Sequence, residues 1–67
     1  MKLHFYIGND DDAERCKESA RCRKAIAMGG TDSLTGRIKS YAGVVVAVEP
    51  ASTEAPGERW RITMDTG

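Results

Sequence analysis

The stretch KSYAGVVVAV, residues 39–48, is the most strand-like part of the chain, and it runs into Glu49 and Pro50. Valines and a tyrosine dominate it, the side chains that fit a pleated, half-buried surface. Alternation from Arg37 onward puts Ile38, Ala42, Val44, Val46 and Val48 on one side, with Ser40 interrupting the row. Arg37, Lys39, Tyr41, Val45 and Glu49 then lie on the other side. Gly43, in mid-strand, marks a bulge or a close backbone approach. Whether the second side is core or surface decides what this molecule can bind.

The two ends of the chain repeat the pattern. In KLHFYI, residues 2–7, Leu3, Phe5 and Ile7 turn one way and Lys2, His4 and Tyr6 the other. In RWRITMD, residues 59–65, Trp60, Ile62 and Met64 turn inward, while Arg59, Arg61, Thr63 and Asp65 turn outward. GGTDSLTG (residues 29–36) and ASTEAPGE (residues 51–58) read as loops by composition.

Between the first strand and the first loop lies NDDDAERCKESARCRKAIAMGG, residues 9–30. Asn9 or Asp10 can cap the first amides, the acids that follow suit the positive end of a helix dipole, and cations gather toward the other end. The expected helix covers about residues 10–28 and stops at Gly29-Gly30. Its apolar stripe, Ala13, Cys16, Ala20 and Ala27, is narrow and made of small residues. Such a helix can approach a sheet closely but buries little area.

These pieces give an α+β fold in the order β-α-β-β, a single domain over residues 1–67. One helix packs on one face of a small three-stranded sheet whose last two strands form an antiparallel hairpin. The first strand is expected beside one of them, parallel to it through a right-handed crossover. The rival is a small curled SH3-like barrel with a helix, its long strand bending at Gly43.

A chain of 67 residues buries only about 60% of its unfolded surface, so a staple or a partner would help it. The two cysteines do not supply a staple. Six residues apart on one helix, they would point about 120° apart with Cα atoms about 9 Å distant, too far for a disulfide. Free thiols suit a reducing compartment, and neither a secretory leader nor a membrane span is readable. The expected location is the cytoplasm.

Net charge is zero but uneven. Residues 15–41 carry seven cations, Arg15, Lys17, Arg21, Arg23, Lys24, Arg37 and Lys39, against only Glu18 and Asp32. A basic middle hints at an anionic partner. If the apolar rows meet the helix, the opposite sheet face displays Lys2, His4, Tyr6, Arg37, Lys39, Tyr41, Arg59 and Arg61. Cations neutralise phosphates and flat rings stack on unpaired bases. Residues 39–46 fit the RNP1 pattern of RNA-recognition motifs at Lys39, Tyr41, Ala42 and Val44. They depart from it at Ser40, Gly43 and Val46, and the chain lacks room for that fold's second helix and fourth strand.

Other chemistry finds little support. Cys16, Cys22 and His4 are the only soft ligands, and their spacing does not suit a structural zinc site. The triple aspartate lacks the alternation and glycine of a calcium loop. One histidine and no nucleophile–base pairing leave no basis for an enzyme, and no cofactor is implied.

The reading is therefore a small non-enzymatic binding or regulatory module. Its basic, Tyr-bearing sheet face (Lys2, Tyr6, Arg37, Lys39, Tyr41, Arg59 and Arg61) would contact a polyanion such as single-stranded nucleic acid. The alternative is a homo-oligomeric or protein–protein interaction module that buries that face, or the edge of the hairpin, between chains.

Overall fold

In the computed structural model, which describes residues 1–51 and 57–67, the alternating ends of the chain become neighbouring strands. β1 (Lys2–Ile7) lies antiparallel to β4 (Trp60–Asp65), with Phe5 opposite Ile62 and Leu3 opposite Met64. Both follow the expected parity. Phe5, Ile7, Ile62 and Met64 are buried, and Leu3 and Trp60 pack at the margin of the same core. Trp60 is pinned rather than enclosed: its indole N–H donates to Asp10 at 3.1 Å, and the Lys17 ammonium stands over its ring.

Helix α1 (Asp10–Cys22) starts as the sequence indicates. The Asn9 side chain accepts the Asp11 amide at 2.7 Å, and three aspartates occupy the first turn. Its end is a correction. Arg23 adopts a left-handed conformation, φ 55°, and the helix stops six residues short of Met28. The next segment is a strand, β2 (Ala25–Asp32), which turns back into β3 (Ile38–Pro50). The glycine pair expected to end the helix lies inside β2. A side chain at Gly30 would run into the Phe5 ring, so this glycine makes room for an aromatic.

The sheet therefore has four strands among the described residues, not three, and every pairing is antiparallel. They close in the order β1-β2-β3-β4. The parallel pairing expected for β1 does not occur. The α+β class and the single helix stand; the small three-stranded sheet gives way to a four-stranded, curled one. β3 is the strand that curls it, since its first half pairs with β2 and its second half with β4. The loop expected over residues 51–58 lies mostly outside the described residues.

The second correction is the phase of β3. Tyr41 and Val45, expected outside, are buried, whereas Ile38, Ala42 and Val46, expected inside, are exposed. The register with β4 slips between Val45 and Ala47. A bulge inserts one unopposed residue and reverses the parity beyond it. Val46 is that residue, and it restores Val48 to the core margin. Gly43 marks close approach instead. Its φ is 156°, and a Cβ there would collide with the Asp65 carbonyl oxygen.

Ser19 ties the bulge to the helix end. Its hydroxyl donates to the Lys24 carbonyl and accepts the Val45 N–H at 3.1 Å, while its own carbonyl accepts the Arg23 and Lys24 amides. A buried hydroxyl thus satisfies a bulge amide that would otherwise cost about 1–3 kcal/mol. Ala13 and Cys16 complete the buried face of α1. Cys16 behaves as a small hydrophobe, its thiol 3.2 Å from the Met28 sulfur, while Cys22 is free and exposed.

Candidate interaction surfaces

The residues expected to form a basic face fall into separate groups. Lys2, His4 and Tyr6 share the outer surface of β1 with Arg61 and Thr63 of β4, as the alternation requires. His4 hydrogen-bonds Thr63 Oγ1 at 2.9 Å. In register, Arg61 lies between Tyr6 and Glu49, and Lys2 lies opposite Asp65. Two cations on this surface are thus matched by two carboxylates.

The remaining members go elsewhere. Arg59 reaches toward the helix start, its guanidinium 3.7 Å from Asp10. Arg37 sits exposed in the β2–β3 turn, and the Lys39 ammonium lies 3.4 Å from Asp32. Tyr41 is not a surface ring: it is buried and stacked on Phe5, with centroids 4.2 Å apart. It has no free face to offer a base.

Asp32 organises that turn. One carboxylate oxygen accepts the Leu34 and Thr35 amides at 2.8 and 2.9 Å, and the other faces Lys39 and the Tyr41 hydroxyl. The two backbone amides, aided by Lys39, hold its pKa down at about 2. Burial, together with the neighbouring Asp32 charge, pushes the Tyr41 phenol above its ordinary value. Composition marked this segment as a loop, but an aspartate two and three residues ahead of free amides is the readable sign of such a turn.

A different surface was not anticipated. The outer side of the β2–β3 ribbon is built from four successive cross-strand pairs: Ala25 with Val44, Ala27 with Ala42, Gly29 with Ser40, and Thr31 with Ile38. None is charged, in a chain that is 30% charged. Ile38 is 84% exposed, Leu34 at the turn 94%, and Val46 beyond the far end 45%. Small side chains make the strip flat, and a flat uncharged surface allows close approach of another backbone.

The ribbon also has open edges. The Asp32 amide donates to the Arg37 carbonyl at 2.8 Å, which fixes the alternation of hydrogen-bonding direction along the pair. Even-numbered residues of β2 bond to β3, so Ala25, Ala27 and Gly29 aim their N–H and C=O groups the other way. β1 meets β2 only at Thr31 and Asp32, and no described strand lies alongside residues 25–29. On the opposite edge β4 joins β3 only from Val44, leaving Ile38, Ser40 and Ala42 likewise directed outward.

Clefts flank both ends of the strip. One, of about 380 Å³, runs between the end of β1 and the β2 edge, bordered by Tyr6, Gly8, Asp12, Gly29 and Gly30. The other, of about 530 Å³, lies between the helix end and the bulge, bordered by Ala20, Arg23, Val44, Val46 and Asp65. Among the described residues no three metal-ligating side chains cluster. No described helix is long and apolar enough to cross a membrane. No protein-family model, curated protein or solved structure matches the chain.

Proposed function

We propose that this chain is a non-catalytic protein-interaction module that buries the outer face of the β2–β3 ribbon against another protein chain. The single observation behind this reading is the run of four uncharged cross-strand pairs, six of whose eight residues are exposed, which continues into Leu34 at the turn and Val46 at the bulge. Exposed large apolar side chains along one strip, here Leu34, Ile38 and Val46, mark a contact site, and depletion of charge at the centre is the compositional sign of an interface. Two unpaired thiols, one of them exposed, suit work in a reducing compartment such as the cytoplasm.

A photo-crosslinking residue placed at Ala42 tests the reading against the same probe at Arg21 on the helix. Crosslinks to a protein chain from Ala42 and none from Arg21 support it. Equal capture from both positions, or none from Ala42, removes it.

The polyanion reading rests on a narrower observation, that Lys2, Tyr6 and Arg61 share one face. Its test is retention of single-stranded DNA or RNA that weakens steeply between about 50 and 200 mM salt. Binding of that kind, lost in Arg61→Ala and kept in Ala42→Lys, would favour it over the ribbon.

A further inference from the structure

We propose that a second copy of this chain adds its own β2 edge to residues 25–29, giving a twofold dimer with one sheet running through both copies. The inference rests on the protein-interaction reading and goes beyond it, adding a contact at the edge of the same ribbon. An open edge of alternating donors and acceptors takes an extended strand. With the axis at Ala27, residue 27 pairs with its own copy and Ala25 pairs with Gly29 of the second copy, using every outward-directed N–H and C=O of the segment.

Symmetry explains why the occupant is another copy. In a twofold contact each residue near the axis meets itself or a near neighbour, so a charge there repels its own image. Residues 25–30 are Ala, Ile, Ala, Met, Gly and Gly. Residues 25–30 themselves carry no charge, proline or bulge, although natural edge strands commonly carry such protection. The other open edge does carry a lysine, Lys39, between Ile38 and Ser40.

Charge complementarity points the same way. The pairing that sets Ala27 against Ala27 sets exposed Lys24 against Gly30 of the second copy. That glycine borders the 380 Å³ cleft that Asp12 also borders, so each end of the joined strands sets a cation at the mouth of a cleft that a carboxylate lines. A 67-residue chain with little core also gains stability from a second subunit.

The test is sedimentation over a range from low micromolar to millimolar, comparing the native chain with Ala27→Pro, with Ala42→Lys on the ribbon face, and with Arg21→Ala as the control. Ala27 aims its N–H away from β3, and no described strand lies alongside it, so proline there removes edge hydrogen bonds, two per dimer. The native chain is expected to dimerise. Ala27→Pro should weaken the dimer by about tenfold or more, while Arg21→Ala, exposed on α1 and away from the ribbon, leaves it in place.

If Ala27→Pro fails to fold, amide exchange on the native chain decides. The Ala27 and Gly29 amides should gain protection as concentration rises. A native chain that stays monomeric at millimolar concentration overturns the proposal, as does a dimer whose Ala27 and Gly29 amides exchange freely. Loss of the dimer in Ala42→Lys but not in Ala27→Pro also overturns it while leaving the broader reading in place. Absence of any protein crosslink at Ala42 removes the reading itself.

Discussion

The Phe5 and Tyr41 rings lie face to face, centroids 4.2 Å apart and planes within 6° of parallel. Phe5 comes from β1 and Tyr41 from the first half of β3, and between them runs the glycine of β2 that gives Phe5 its space. This stack holds the ribbon against the rest of the barrel. It also fixes which face of the ribbon is left outside.

Tyr41→Ala should therefore destabilise the protein by about 3–5 kcal/mol, the range for truncating a buried aromatic. Tyr41→Phe removes only the hydroxyl facing Asp32 at 3.4 Å and should cost under about 1 kcal/mol. Urea unfolding of both variants checks this. An alanine variant as stable as the native chain would place the ring outside the core.

Ser19→Ala leaves the Val45 amide without its hydroxyl partner and should cost about 1–3 kcal/mol. The loss should appear together with faster exchange of the Val45 amide. A neutral substitution would mean that the bulge and the helix end are held independently.

Acid stability should depend on Asp32. Its carboxyl titrates at about 2 in the folded chain against 3.8 ordinarily, so between those values the unfolded chain binds more protons. Its contribution is present above pH 4 and is lost as pH falls from about 4 toward 2. The Asp32→Asn variant keeps a side-chain acceptor for the turn but loses this titration. Its melting temperature should fall less steeply over that window than that of the native chain; parallel curves would refute the assignment.

The two thiols should differ in reactivity. Cys16 is fully buried, and burial raises its pKa to about 11, whereas Cys22 is exposed. The thiolate is the reactive form. Alkylation under native conditions, followed by mass spectrometry, should label Cys22 alone and reach Cys16 only at the rate of unfolding. Early labelling of Cys16 would show that α1 is not packed as described.

The edges of this fold were legible and its middle was not. Alternation in β1 and β4 gave the right inward residues because both strands are short, regular and half-buried. The start of α1 was legible because Asn9 and the aspartates act locally. The ribbon face is not legible in the sequence because Ala25 and Ala27 are good helix formers and the alternation around Ala42 points it inward. The basic surface dispersed because Tyr41 and Lys39 lie before the bulge and therefore have the opposite phase from the residues after it.

The sequence alone determined an α+β chain with one capped helix, two free cysteines and terminal strands of known facing. Those features depend on neighbours a few residues apart. The helix end, the strand at Ala25–Asp32, the phase of β3 and hence the exposed uncharged ribbon were decided by tertiary structure. Each depends on a distant partner: Ser19 on Val45, Gly30 on Phe5, Gly43 on Asp65. Local propensity in AIAM is compatible with helix or strand, and only the packing of the rest of the chain chooses between them.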